Sequence, residues 1–159
     1  NNEMGETFVV PEVSHSEETM LIPGVDGQKM SKSRGNEINI FLSDKKLRKQ
    51  VMRIETDSKG LDDVKDPDTC NIFALYRILA SKDAQEEMRK NYASGGYGYG
   101  HAKQALFELI VEKFAAQRER YNYLMEHPAE IEAALKIGQE KARVVASDVL
   151  QRVRARVGY

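Results

Sequence analysis

Lys29-Met30-Ser31-Lys32-Ser33 carries the densest chemistry in this chain, inside the stretch Gly24-Val25-Asp26-Gly27-Gln28-Lys29-Met30-Ser31-Lys32-Ser33-Arg34-Gly35-Asn36. Two lysines three residues apart, flanked by hydroxyl residues and glycines, can close over a polyphosphate. A lysine ammonium is a compact, mobile charge with three donors. Serine hydroxyls and loop amides add hydrogen bonds to phosphate oxygens. Gly24 and Gly27 permit close backbone approach or a positive φ, and Gly35 permits a sharp exit. Asp26 suits a turn and Asn36 suits capping or bonding the loop, while Arg34 reads as a solvated neighbour. The alternative for the whole segment is a solvated basic surface turn, which leaves the glycine-rich lead-in without a purpose.

The rest of the chain must position that loop. Its 159 residues suffice for one core, or for one domain with part of another. With 41% hydrophobic and 31% charged residues, the composition is that of a globular protein. The formal net charge of -1 argues against a generally basic nucleic-acid binder, so any RNA contact must use local basic patches. Cys70 is the single cysteine, which excludes an intrachain disulfide and suits a reducing compartment. No apolar run is long enough to span a membrane. The start at Asn1-Asn2-Glu3, without an initiator Met, reads as a piece of a longer protein.

Two textures follow one another. Thr7-Phe8-Val9-Val10-Pro11 and Met20-Leu21-Ile22-Pro23 are short apolar runs ended by proline, and Ile38, Ile40 and Leu42 alternate with Asn39 and Phe41. Both features suit strands or extended chain at the rim of a sheet. From Ser43 the period is helical. Ser43 caps a helix with Leu47, Val51 and Ile54 on one face. Thr56-Asp57-Ser58-Lys59-Gly60 breaks it, and Pro67-Asp68-Thr69 opens a helix carrying Ile72, Leu75, Tyr76 and Leu79. Ser81 or Asp83 caps a third, running to about Tyr92. Ser94-Gly95-Gly96-Tyr97-Gly98-Tyr99-Gly100 is a turn. One long helix is then expected to about His127, with Phe107, Phe114, Tyr121 and Tyr123 as core or interface. Pro128 opens the last helix, which repeats Ile131, Leu135, Gly138, Ala142, Ala146, Val149 and Val153.

The Lys29–Ser33 pentapeptide resembles the signature loop of class I aminoacyl-tRNA synthetases. Several downstream segments resemble the bacterial tryptophanyl-tRNA synthetases in order and spacing. They are Gly5-Glu6-Thr7-Phe8-Val9-Val10-Pro11-Glu12 ahead of the loop, Thr56-Asp57-Ser58, and Gly96-Tyr97-Gly98 with Lys103 after it. Arg118, Arg120 and Tyr121, then Gly138, Lys141, Ala142 and Ala146, and finally Gly158, complete the series. Arg34-Gly35 departs from the family's usual Asp-Pro, and Tyr99-Gly100-His101 from its usual link to the lysine.

The resemblance implies a mainly α fold. Residues 1–42 would be the C-terminal edge of a Rossmann-type catalytic domain, and residues 43–159 a helical anticodon-recognition domain. It implies a ligase that activates tryptophan with ATP and Mg2+, releasing pyrophosphate, and loads tRNA(Trp). Lys29 and Lys32 would be catalytic, and Lys29, Met30, Ser31, Lys32 and Ser33 would bind ATP, with no protein-held metal. The partners implied are tRNA(Trp), ATP and tryptophan, within a cytoplasmic homodimer. The family's His-x-Gly-His element, tryptophan pocket and ribose-binding motif have no counterpart here, and His15, His101 and His127 lack the spacing to replace them. They read as surface or capping residues. The isolated chain is expected not to activate tryptophan.

The first helix is basic through Lys45, Lys46, Arg48, Lys49 and Arg53, and the last through Arg143, Arg152, Arg154 and Arg156. Such clusters can touch tRNA phosphates in a salt-sensitive way, although any single member reads more simply as solvated helix surface. Tyr97 and Tyr99 can stack on a base or, more simply, pack on the helices. Two readings compete with the leading one. One is a tyrosyl-type or other class I synthetase, and the other a noncatalytic helical RNA-binding module.

Overall fold

The computed structural model describes residues 3–14 and 21–158. Six α-helices follow one another: α1 (Asp44–Met52), α2 (Asn71–Leu79), α3 (Lys82–Ser94), α4 (Tyr99–Lys113), α5 (Ala115–Glu126) and α6 (Pro128–Val157). Among the described residues there is no strand beyond an isolated antiparallel bridge between Pro23 and Lys29. The mainly α fold is therefore as the sequence implies. Ile38, Ile40 and Leu42 do not form a strand; they turn and pack half-buried against the helices. Alternation makes a strand only where a neighbour offers a ladder, and among the described residues none lies beside them. Met20 and His15 lie outside the described residues.

By their contacts the residues form two units, one of His15–Glu119 and one of Asn1–Ser14 with Arg120–Tyr159. The first holds the core. Leu47, Val51 and Ile54 bury the inner face of α1 and the turn after it, and Ile72, Phe73 and Leu75 do so for α2. Met88 and Tyr92 of α3 and Ala102, Leu106 and Ile110 of α4 complete the cluster. Helix α4 packs on both α1 and α2. Its lysines cap them: Lys103 Nζ donates to Met52 O at 3.2 Å and Lys113 Nζ to Leu79 O at 3.2 Å. Carbonyls at helix C-termini lack intrahelical donors and carry partial negative charge, so an ammonium is the fitting cap.

Helix boundaries follow local chemistry. Ser81 accepts a hydrogen bond from Ala84 N at the start of α3. Gly98 N donates to His101 Nδ1 at the start of α4, a capping role for that histidine. The long helix expected to His127 is interrupted at Phe114, whose φ of -106° and ψ of 16° close α4 before α5 starts. Phe114 turns inward against the core there. Lys65 is buried and its ammonium donates to Gly60 O, Leu61 O and Asp63 O, so a local cage of carbonyls replaces water. Tyr97 and Tyr99 pack against Tyr92 with ring centroids 6.0 and 6.2 Å away.

In the second unit Pro128 takes the first turn of the 30-residue α6, which ends on left-handed Gly158. The Tyr123 ring stacks on His127 at 4.0 Å, and Arg120 and Tyr123 both bond Glu130. None of the described helices is long and apolar enough to cross a membrane.

Tyr92 is fully buried, and burial pushes its phenol far above the ordinary value of 10.0. A raised folded value stabilises the fold fully below the unfolded value and loses that contribution as pH rises. Stability should therefore fall above about pH 10, where unfolded tyrosine ionises and Tyr92 does not. Alkaline melting curves test this, and Tyr92→Phe should show a shallower decline than the unaltered protein.

Candidate polyphosphate loop

The loop is built on a tight turn held to the helices. Gly24 N donates to Gln28 O at 2.7 Å, Gly27 N to Gly24 O at 3.1 Å and Met30 N to Ile22 O at 2.8 Å. The turn is tied down at Val25, whose carbonyl accepts from Glu55 N at 2.7 Å, just after α1. Asn71 Nδ2, at the first position of α2, donates to Gly24 O at 3.1 Å. Val25 and Met30 pack their side chains against the core, so both ends of the turn rest on the helical framework.

Beyond Met30 the chain leaves the core. Lys32–Arg34 form a single 3-10 turn that Gly35 ends with a φ of 65°. Ser31 and Ser33 hydroxyls lie 2.8 Å apart, and Lys29, Lys32, Ser33 and Arg34 are exposed. Neither Lys29 nor Lys32 has an ion-pair partner among the described residues. The sequence-predicted pentapeptide thus sorts by side chain. Met30 anchors, while Lys29 and Lys32 present two unclaimed ammonium groups and Ser31 and Ser33 two hydroxyls. An oxyanion can collect such donors when it arrives, and mobile cations can follow charge as it develops.

Asn36 is the residue whose importance the sequence understated. It is 3% exposed, directly after the exposed residues Lys32–Gly35. Its Oδ1 accepts from Ser31 N at 2.8 Å, and its Nδ2 donates to Asp26 Oδ1 at 2.7 Å and to Lys29 O at 3.2 Å. Its backbone carbonyl accepts from Val25 N at 2.9 Å. Asp26 also accepts from Gln28 N at 3.0 Å, forming the turn rather than contacting a lysine. The Asn36 amide, followed by the Gln28 N–H and the Arg34 charge, holds the Asp26 carboxyl below its ordinary range against the opposing effect of burial. A polar residue flanked by Gly35 and Glu37 gives no pattern from which such burial could be read.

Gly24 explains itself by contact. A Cβ there would lie 2.5 Å from Asn36 Cγ and Nδ2 and 2.6 Å from Asn36 O. Gly24→Ala should cost about 1–3 kcal/mol as an overpacked site. Gly35 has open space around it, so Gly35→Ala should cost only the left-handed backbone penalty of about 1–2 kcal/mol. The checks are thermal melts of the two variants, with the Gly24 change also displacing the loop.

Behind the turn lies a cleft of about 300 Å3 lined by Asp26, Gly27, Glu55, Thr56, Asp57, Asn71 and Tyr99, among others. Tyr99 Oη donates to Asp57 Oδ1 at 2.7 Å, which lowers the Asp57 carboxyl; burial first, and then this bond, raises the phenol. Among the described residues no three His, Cys, Asp or Glu side chains are grouped to hold a metal ion.

Residues 2–115 match the family model described as tRNA synthetases class I (W and Y). The chain belongs to this family. Among curated class I relatives, the tryptophan–tRNA ligase of Campylobacter jejuni (strain RM1221) is 43% identical over 99% of this chain and 50% of its own length. The enzyme of that name from Rhodopirellula baltica is 41% identical over 97% of this chain and 48% of its own. The crystal structure of tryptophanyl-tRNA synthetase from Campylobacter jejuni complexed with ADP and tryptophan superposes with a TM-score of 0.85 at 43% identity. It is covered over 50% of its chain, and this chain over 100%. The chain thus spans about half the length of the curated relatives it matches.

Proposed function

We propose that this chain works in a tryptophan–tRNA ligase, supplying the cationic loop that closes on ATP and helices that recognise tRNA(Trp). The observation that carries the reading is the loop itself. Its base is bonded into the helical core, while Lys29 and Lys32 project without ion-pair partners among the described residues. The similarity to tryptophan–tRNA ligases over almost the whole chain supports the choice of amino acid.

In the reaction a tryptophan carboxylate oxygen attacks the α-phosphorus of ATP, and the bond to the bridging oxygen of pyrophosphate breaks. Negative charge grows on the leaving pyrophosphate. Lys29 and Lys32 contact the β- or γ-phosphate oxygens and strengthen those contacts as charge develops, which lowers the barrier. Ser31 and Ser33 donate hydrogen bonds to the same oxygens. The Met30 backbone lies near the adenine while its side chain keeps the loop seated. Closure after ATP arrives completes the site. Mg2+ bound to the phosphates would neutralise part of their charge, and the loop itself contributes the Lys29 and Lys32 cations.

On this reading residues 1–42 belong with a nucleotide-binding catalytic domain and residues 43–159 form a helical anticodon-recognition domain. The full-length protein acts as a cytoplasmic homodimer. The basic face of α1, with Lys45, Lys46 and Lys49 exposed and Arg53 exposed just after it, is suited to tRNA phosphates. The test is aminoacylation by the full-length gene product. Charging of tRNA(Trp) with tryptophan, weakening as salt rises, is expected. Charging of tRNA(Tyr) with tyrosine would move the protein to the other branch of its family, and no charging at all would leave a noncatalytic RNA-binding module.

A further inference from the structure

We propose that Asn36 is a positioning residue for the activation step, its carboxamide fixing the backbone from which Lys29 and Lys32 project, with Asp26 setting the way that carboxamide faces. The inference rests on the reading of this loop as the ATP lid and assigns a role to a residue outside the Lys29–Ser33 segment.

The geometry demands an amide in one orientation. A carboxamide offers one acceptor and two N–H donors. Around Asn36 the neighbours are one donor, Ser31 N–H, and two acceptors, the Asp26 carboxylate and the Lys29 carbonyl. A flipped amide would set oxygen against both acceptors and N–H against N–H. Asp26, already fixed by Gln28 N, therefore selects the orientation. The two backbone groups so held flank Met30 on either side. Lys29 is one of the residues held, and Lys32 directly follows the other. Any shift of the carboxamide thus moves the mounts of both lysines together. A buried polar group of this kind adds geometric specificity more than net stability.

The consequence is an effect on turnover rather than on binding of the amino acid. Asn36→Asp keeps the size, retains the acceptor for Ser31 N and replaces the donor by a second acceptor. Two carboxylates then face each other at hydrogen-bond distance and cannot both ionise readily. Glu55 and Asp57 share the cleft of Asp26 and add to the tendency of the pair to hold a proton, while the Arg34 charge opposes it. Of the two bonds that Nδ2 donates, the one between the side chains should return in that variant as pH falls and the pair takes up a proton, while the one to Lys29 O stays lost.

The experiment is tryptophan-dependent pyrophosphate exchange by the full-length gene product, measured from about pH 8 to about pH 6 alongside thermal melts. At the alkaline end Asn36→Asp should lower kcat by about a hundredfold, as a small displacement of reacting groups does, with the KM for tryptophan changed less than about threefold. Relative to the unaltered enzyme, its kcat should rise as pH falls. Combining Asp26→Asn with Asn36→Asp, which reverses donor and acceptor between the two side chains but leaves Lys29 O without its donor, should recover part of the loss, about tenfold, the signature of coupled neighbours. Full kcat in Asn36→Asp overturns the inference, as does a loss that neither low pH nor the exchanged pair restores. The Lys29→Ala/Lys32→Ala variant separates the levels. Exchange that survives it overturns the lid reading and this inference together. Exchange that fails with it but is unaffected by Asn36→Asp overturns the inference alone.

Discussion

Replacing Lys29 and Lys32 together by alanine should reduce the turnover of pyrophosphate exchange by about a thousandfold or more, since removing one well-placed donor to a developing anion costs about a hundredfold to a thousandfold. The fold should be indifferent. Both lysines are exposed, neither has an ion-pair partner among the described residues, and the turn beneath them is held by Asn36, Asn71 and Glu55 N instead. The separation matters because it distinguishes a chemical role from a structural one. The signature is a fall in kcat with the KM for tryptophan little altered, since contacts made only in the transition state are the ones lost. Single changes should each cost less than the pair, and the two need not add. A double variant that melts normally and turns over normally would remove the loop from the chemistry.

Tyr92→Ala should have the largest effect on the fold. The side chain is fully buried, and it is the ring on which Phe73, Tyr97 and Tyr99 all converge, at centroid distances of 6.3, 6.0 and 6.2 Å. Its hydroxyl meets Cys70 Sγ at 3.4 Å, and its carbonyl accepts from Lys65 N at 2.9 Å. Truncating a large buried aromatic leaves a cavity and costs about 3–5 kcal/mol. Tyr92→Phe removes only a weak sulfur contact and should cost no more than about 1 kcal/mol. Denaturant titration of the two variants gives the comparison. The loss should also reach the loop indirectly, because Tyr99 bonds Asp57 at the cleft behind the turn. Near-equal costs for the two variants would mean that the hydroxyl, not the ring, holds this corner.

Where local signals act alone, the sequence told the structure well. Leu47, Val51 and Ile54 at helical spacing are indeed the buried face of α1 and its following turn, and Pro128 does begin α6. Ser81 caps α3 as its hydroxyl suggests. The Lys29–Ser33 loop was visible because its residues are consecutive. What escaped depends on partners far along the chain. The break at Phe114 has no proline or glycine to announce it; it reflects an inward turn that helical period cannot signal. Ile38, Ile40 and Leu42 alternate as a strand does, yet what they meet is a helical core. Lys65 is buried because its own loop folds three carbonyls around it, and Arg118 reaches back to Ile40 O and Asp44. Asn36 belongs to the same class: a polar residue in a polar stretch becomes the hub of a loop only once Asp26, Lys29 and Ser31 are brought round it.

The most direct measurement is ATP–pyrophosphate exchange by the full-length gene product with tryptophan, tyrosine and methionine supplied in turn. Exchange that depends on tryptophan and disappears with Lys29→Ala/Lys32→Ala is the result expected here. Exchange driven by tyrosine or methionine, or undiminished in that variant, would contradict the account.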